Sequence, residues 1–294
     1  MQTSFFEQFF SSRAFDFLIK SIDLALEEDG KDITSRGIFQ ESEKMQALIV
    51  GKEHCILAGL PLIELILSRT GSDTDNYQVK NFRTEGAKVE PNSRIAAIEG
   101  SALDILKCER VILNYLSHLS GIATLTNRFV QELKDSGSKI TDTRKTLPGL
   151  RYPEKYAVKI GGGCNHRLDL QDMILVKDNH IDRAGGMSKA VSKIRERYQP
   201  SPPIEVECRT ETDVDEAIVC GVDRIMLDNM EQSQIRSALA KIPREIESEI
   251  SGGVSLKNIR EIAGLGANYI SCGFLTNSAN SVDLSMQLFK RETP

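Results

Sequence analysis

Between Phe15 and Leu26 the apolar residues Phe15, Leu18, Ile19, Ile22 and Leu26 recur at helical spacing and mark one face, which predicts an amphipathic helix. After it, MQALIV (45–50), YQVKNF (77–82) and RIAAIE (94–99) have the apolar runs of strands, with a helix opened by Pro61 between the first two. Residues 101–118 and 121–134 then have the length and periodicity of two helices, the first carrying Glu109 and Arg110 among aliphatic neighbours. Further on the pattern changes. SKITDT (138–143), MILVK (173–177), IEVEC (204–208), DRIML (223–227), ESEIS (247–251) and NYISC (268–272) are short apolar runs, each followed by a polar or glycine-rich loop and then helical periodicity. That order predicts parallel βα units. The later strand starts recur about every twenty residues, the length of a strand, loop, helix and return loop, which favours a barrel. Periodicity alone leaves an open doubly wound sheet standing as the alternative. The division read from the pattern is an α+β domain over 1–118 and a βα domain over 119–278.

Composition narrows the function. The 294 residues are 40% hydrophobic and 27% charged, as in a globular enzyme, and the net charge of -5 argues against a sequence-wide electrostatic grip on nucleic acid. Any basic site must be local. Cys55, Cys108, Cys164, Cys208, Cys220 and Cys272 are scattered, without a C-x-x-C pair or a Cys/His cluster, so they read as buried free thiols rather than zinc ligands or a redox pair. The segment MQTSFFEQFFSSRAF lacks the basic start and apolar stretch of a secretory signal, and no segment reaches membrane-spanning length. These features predict a cytoplasmic protein without nucleic-acid or membrane partners.

Candidate chemistry gathers at one end of the predicted strands. Arg144, Lys145, Lys177, Glu207, Asp228, Ser251 and Gly273 all fall at or just after strand C-termini, the rim where parallel barrels carry active sites. From Arg144 to Lys177 the chain is dense in cations, which suits a polyanion: guanidinium groups grip carboxylate and phosphate in pairs, and lysines act as point charges. Arg144, Lys145, Arg167 and Lys177 read as functional, whereas Lys155 and Lys159, on a helix expected to start at Pro153, read as a solvated face. In IEVEC, Glu205 and Glu207 share one face, and Asp228 closes the next strand. Carboxylates on adjacent strand ends can hold Mg²⁺ and stabilise positive charge developing on a sugar. Ser251-Gly252-Gly253, before a helix expected near Ser255, could cradle a phosphate, and Gly273 with Thr276, Asn277 and Ser278 could supply its other half. His54 and His118 read as structural, His166 as one of the anion-binding groups, and His180 as a supporting loop residue.

The segments TRKTLPGLRYPEKYAVKIGGGCNHR (143–167), LVKDNH (175–180), IEVEC (204–208), IMLDN (225–229) and SGG (251–253) closely resemble, in order, the quinolinate phosphoribosyltransferases. Upstream, LEEDGKDITS (26–35), LAGL (57–60) and ERVILNYLSHLSGIATLT (109–126) resemble them too. The resemblance implies an N-terminal α/β sandwich, joined by 279–294, beside an incomplete parallel α/β barrel, in a homodimer or larger homo-oligomer. It implies Mg²⁺-dependent transfer of the ribosyl group of 5-phosphoribosyl 1-diphosphate to quinolinate, with decarboxylation to nicotinate mononucleotide. Arg144, His166, Arg167 and Lys177 are implied to bind the pyridine dicarboxylate, with Arg110 entering from the neighbouring subunit. Lys145 and Lys177 are implied on the diphosphate side, Thr146 among the substrate-binding residues, and Lys145, Glu207 and Asp228 as the catalytic set. Glu207 and Asp228 also serve ribose and Mg²⁺, and Ser251, Gly252, Gly253 and Gly273 the 5′-phosphate. Lys31, where glycine is frequent, and Asn277, where histidine is frequent, depart from the pattern. Two other readings stand beside this one: transfer to nicotinate without decarboxylation, which needs fewer cations, and non-catalytic anion binding, which gives Glu207 and Asp228 nothing to do.

Overall fold

A computed structural model describes residues 4–70 and 77–290, and the chain divides into two compact units. The first comprises Met1–Leu125, Leu147–Gly162 and Ala279–Pro294, and the second Thr126–Thr146 and Gly163–Ser278.

In the first unit the strands are β1 (Lys44–Gly51), β2 (Cys55–Ile56), β3 (Tyr77–Asn81), β4 (Lys88–Val89), β5 (Arg94–Ser101) and, from the far end of the chain, β12 (Leu284–Lys290). Four form an antiparallel sheet in the order β12-β1-β5-β3, while β2 and β4 pair separately. The register Ala47↔Ile98 and Ile49↔Met286 turns one apolar row of β1 toward the core. Helix Ser12–Glu28 buries Ala14, Leu18, Ile22 and Leu26, an i, i+4 row that takes Ala14 instead of the expected Phe15, which is exposed.

The two helices expected at 101–118 and 121–134 are one, Ala102–Glu132. Gly121 does not break it, because glycine is required there for another reason: a Cβ would lie 2.1 Å from the backbone oxygen of Asn280. The returning C-terminal segment crosses the helix at this point, and Val282 N–H donates to Ser117 O at 3.1 Å. Helix Arg151–Ile160 groups with the first unit because Tyr156 is buried among Phe6, Phe9 and Phe10, with ring centroids 5.2–5.6 Å away. Pro153 sits inside its first turn. Lys155 on this helix is fully buried, contrary to the solvated face expected of it, while Lys159 is exposed. Polar residues on a short helix gave no hint that nearly its whole circumference is enclosed.

The second unit carries β6 (Lys139–Thr141), β7 (Ile174–Val176), β8 (Ile204–Cys208), β9 (Arg224–Asp228), β10 (Glu247–Ser251) and β11 (Tyr269–Ser271). They pair in parallel in the order β6-β11-β10-β9-β8-β7, with helices between successive strands. Among the described residues β6 and β7 do not pair, so this is a six-stranded parallel sheet without closure, an incomplete barrel. These strands are largely buried, so Ile, Val, Leu and Met recur along them, although β8 and β10 also bury Glu205, Glu207 and Glu249. Helix Glu211–Cys220 shows the local logic of the connections. Thr210 accepts from Asp213 N–H in a capping box, and Gly221 ends the helix at φ +60°.

No helix of the described residues is long and apolar enough to cross a membrane. All six cysteines are free thiols, and burial pushes those of Cys108 and Cys208 up to about 12, into the unreactive range.

Candidate active site

Because all six strands of the second unit run the same way, their C-terminal ends share one rim. In sheet order that rim presents Asp142–Lys145 after β6, Cys272-Gly273 after β11, Ser251–Gly253 at β10, Asp228 at β9, Glu207 on β8 and Lys177 after β7. The register pairs Ser251 with Asp228 and Glu207 with Met226, so the two candidate carboxylates lie on adjacent strands.

One part of the rim is a cavity of about 210 Å³ lined by Thr143, Lys145, Ser251–Val254, Ser271–Phe274 and Asn277. Its walls are held by short contacts. Thr276 Oγ1 donates to Lys145 O at 2.8 Å, and a Cβ on Gly273 would meet Lys145 Cδ at 2.8 Å, so glycine there makes room for the lysine. Gly252 and Gly253 sit at φ +102° and +60°, which other residues rarely adopt. Turns of this kind present successive backbone N–H groups to an anion. The helix expected near Ser255 starts only at Ile259. Asn258 Oδ1 accepts from Ser255 N–H and its Nδ2 donates to Gly253 O, closing a turn in its place. On the Ser251–Gly253 side the wall is therefore loop backbone, while on the other side Gly273 is the N-cap of the short helix Phe274–Asn277. Thr146 is not among the lining residues.

The cations cluster around β6 and the segment after Gly163. Arg144 Nε is buried with no hydrogen-bond partner. Burial lowers the proton affinity of Arg167, and the neighbouring Arg144 guanidinium lowers it further. Two guanidinium groups this close are unfavourable unless an anion joins them. Arg167 is steadied by Nη1 donating to Met173 O at 3.1 Å.

His166 is 7% exposed and sits beneath this pair. Its backbone N–H donates to Asp142 Oδ1 at 2.9 Å, and its Nδ1 accepts from Arg167 N–H at 2.7 Å. The ring proton of the neutral imidazole is therefore on Nε2, which faces Glu205 Oε2 at 3.0 Å and Glu249 Oε1 at 3.7 Å. The Nε2 contact with Glu205 is short but off the hydrogen-bond direction, so its attraction is chiefly electrostatic. These three are the one group of three or more His, Cys, Asp or Glu side chains among the described residues with donor atoms within 4.8 Å of one another. A protonated Nε2 removes the lone pair a metal would need there. Burial, and then the charge of Glu205, push the Glu249 carboxyl up to about 7.

On the other flank Lys177 Nζ donates to Glu207 Oε2 at 2.6 Å, while Arg209 Nη2 lies 3.6 Å from Glu207 Oε1 and 2.7 Å from Asp178 Oδ2. His180 Nδ1 accepts from Lys177 N–H at 3.0 Å, so His180 supports Lys177 from the first turn of helix Asp178–Ala184 rather than from a loop. Asp228 Oδ2 accepts from Asn229 Nδ2 at 2.9 Å. Arg110 belongs to the first unit, where it is exposed along a cavity of about 830 Å³ whose lining includes Lys20, Tyr115, His118 and Leu150. His118 there pairs with buried Glu154 at 2.9 Å.

Asp142, Glu249, Arg209 and Asn229 were missed in the sequence. Asp142 had a signal, a carboxylate ending an apolar run just before the cations, whereas Glu249 and Arg209 acquire meaning only through contacts far along the chain.

A parallel α/β sheet whose C-terminal rim carries a glycine-lined cavity, two interacting arginines and carboxylates on adjacent strands is the architecture of an α/β-barrel enzyme. The family model "Quinolinate phosphoribosyl transferase, C-terminal domain" matches residues 122–287, and that for the N-terminal domain matches 32–120. The chain belongs to the quinolinate phosphoribosyltransferase family. It is 43% identical over 257 residues to a probable nicotinate-nucleotide pyrophosphorylase [carboxylating] of Bacillus subtilis (strain 168), covering 87% of this chain and 88% of that one. It is 35% identical over 288 residues to a mitochondrial quinolinate phosphoribosyltransferase [decarboxylating] 2a of Nicotiana tabacum, covering 90% of this chain and 80% of that one. The crystal structure of NadC from Streptococcus pyogenes is similar with a TM-score of 0.88 at 36% identity, covering 96% of this chain and 99% of that one.

Proposed function

We propose that this chain transfers the ribosyl group of 5-phosphoribosyl 1-diphosphate to quinolinate, giving nicotinate mononucleotide, CO₂ and pyrophosphate. The observation that carries this reading is the adjacent pair Arg144 and Arg167, one with a buried, unpartnered Nε and the other with its proton affinity depressed by burial and then by its neighbour. Such a pair is stabilised by a dicarboxylate laid across it. Lys177, within reach of Glu207, is assigned to the same substrate, and His166 holds Arg167 by accepting its backbone N–H. Lys145 and the Ser251–Gly253 and Gly273 backbone are assigned to the phosphates, and Thr146, beside Lys145 in sequence, to substrate binding.

In the reaction the pyridine nitrogen attacks the anomeric carbon, the nitrogen–carbon bond forms, and pyrophosphate leaves with its electron pair. The ring nitrogen becomes positive. It then accepts the charge left when the adjacent carboxylate departs as CO₂, and that ring carbon takes a proton from solvent. The attacking nitrogen carries no proton, so no general base is needed. The protein's part is to hold two anions together and to stabilise the cationic anomeric carbon through Glu207 and Asp228. Those carboxylates are hard oxygen donors on neighbouring strands and fit Mg²⁺, held in part through water. When bound, Mg²⁺ supplies neutralisation of the diphosphate charge.

Arg110, exposed in the first unit and without an ion pair among the described residues, is assigned to the site of a second copy in a homodimer. The test of the whole reading is incubation of the purified protein with quinolinate, 5-phosphoribosyl 1-diphosphate and Mg²⁺. Nicotinate mononucleotide is the expected product, and its absence from a folded preparation overturns the proposal.

A further inference from the structure

Asn229 has no role in the chemistry above, yet it touches two parts of the machinery at once. We propose, resting on that reading, that Asn229 is a positioning residue: its side-chain amide is a rigid spacer between the Asp228 carboxylate and the Ser251–Gly253 phosphate turn.

Three observations support this. Asn229 is one of three non-glycine residues among those described with positive φ, at +53°, a conformation asparagine tolerates better than most. Its backbone N–H donates to Ser251 O at 2.9 Å, one step beyond the Asp228↔Ser251 pairing that ends the β9–β10 ladder. The left-handed turn thus swings the side chain back over the end of the ladder. There Nδ2 donates to Asp228 Oδ2 at 2.9 Å, while Oδ1 occupies the space beside Gly252, where a Cβ would come within 2.2 Å of it.

The amide group is planar, so fixing one end fixes the other. Asp228, assigned to the ribose, and the turn assigned to the 5′-phosphate are in this way held at one separation, which must match the distance between the two groups on a single phosphoribosyl donor. The spacing also explains the absence of a side chain at Gly252, whose place the Asn229 oxygen takes. Quinolinate, assigned to Arg144 and Arg167, lies outside this linkage.

The test separates the amide from the backbone. Asn229→Gly keeps the left-handed conformation without strain and deletes the spacer. Calorimetry with 5-phosphoribosyl 1-diphosphate and Mg²⁺ should show donor binding about tenfold weaker, the scale of one hydrogen bond to a charged group. Affinity for quinolinate, titrated separately, should stay within about twofold, and kcat should fall about tenfold. Asn229→Asp, which keeps the shape but sets a carboxylate against Asp228, should lose donor affinity too, and a melting curve on each variant verifies the fold. Donor affinity within about twofold of wild type in Asn229→Gly, or equal weakening of both ligands, overturns the assignment. Turnover by the wild type tests the reading of the reaction. The two calorimetric affinities test Asn229 whether or not turnover is seen.

Discussion

Replacing Glu249 by glutamine should make the protein more stable at neutral pH and should flatten its pH dependence. The Glu249 carboxyl is fully buried beside Glu205, with Arg224 Nη1 at 3.4 Å and His166 Nε2 at 3.7 Å. Its pKa is pushed from an ordinary 4.5 up to about 7, by burial first and by Glu205 next. Below the ordinary value both folded and unfolded chains hold the proton and the group contributes nothing to pH dependence. Between the two values the unfolded chain releases the proton and the folded chain keeps it, so stability falls as pH rises, and above about 7 the full penalty applies. The difference corresponds to roughly 3 kcal/mol as an upper bound, since Arg224 and His166 relax around the charge. An amide never ionises, and it can donate to Glu205. Urea denaturation at about pH 4 and about pH 8 should show the variant level with wild type at the lower pH and more stable by up to roughly 3 kcal/mol at the higher. A difference between the two proteins that does not change with pH would refute the reasoning, because Glu249 would then ionise alike in both states.

Glu207→Ala and Asp228→Ala should lower kcat far more than quinolinate affinity, read from steady-state kinetics and direct binding; weaker quinolinate binding at unchanged kcat would make them substrate-positioning groups. Arg110→Ala and Lys177→Ala should each be nearly inactive, and subunit exchange between them should restore roughly a quarter of wild-type activity, since half of randomly paired dimers hold one intact site of two. No recovery despite verified exchange would assign Arg110 to its own chain. Gly121→Ala, which helix propensity alone favours by about 1 kcal/mol, should instead destabilise by about 1–3 kcal/mol, because the new Cβ meets the Asn280 carbonyl. A neutral or stabilising effect in denaturant titration would mean that the crossing segment yields freely.

The strands of the second unit were legible because short segments holding Ile, Val, Leu or Met recur between helical stretches, even where buried carboxylates such as Glu205, Glu207 and Glu249 interrupt them. IEVEC and ESEIS coincide with β8 and β10 residue for residue. The rim followed from them, since parallel strands put their C-terminal ends on one side. Features set by distant segments were not legible. The continuity of the helix through residues 119–121 was not visible locally, the need for glycine at 121 coming from Asn280, far along the chain, and Lys155 read as solvated because its enclosure comes from residues outside its helix. The polar composition of the turn after Gly253 suggested a helix start, yet the Asn258 side chain satisfies the same backbone groups in a turn. Strand β12, LSMQLFK, alternates apolar Leu284, Met286 and Leu288 with polar Ser285 and Gln287, but the pattern does not show its partner, β1, which lies at the other end of the chain. In the site, the cations were visible as a local density. The support beneath His166, from Glu205, Glu249 and Asp142, was visible only in three dimensions.

The account's central claim is that the paired arginines take a dicarboxylate and that the site removes one of its carboxyl groups. Quinolinate labelled in the carboxyl group next to the ring nitrogen, supplied with 5-phosphoribosyl 1-diphosphate and Mg²⁺, measures this directly. The prediction is one labelled CO₂ released for each nicotinate mononucleotide formed, with nicotinate a poor substrate in a parallel assay. Nucleotide formation from nicotinate at a comparable kcat/KM, or from quinolinate with the label retained, would contradict it.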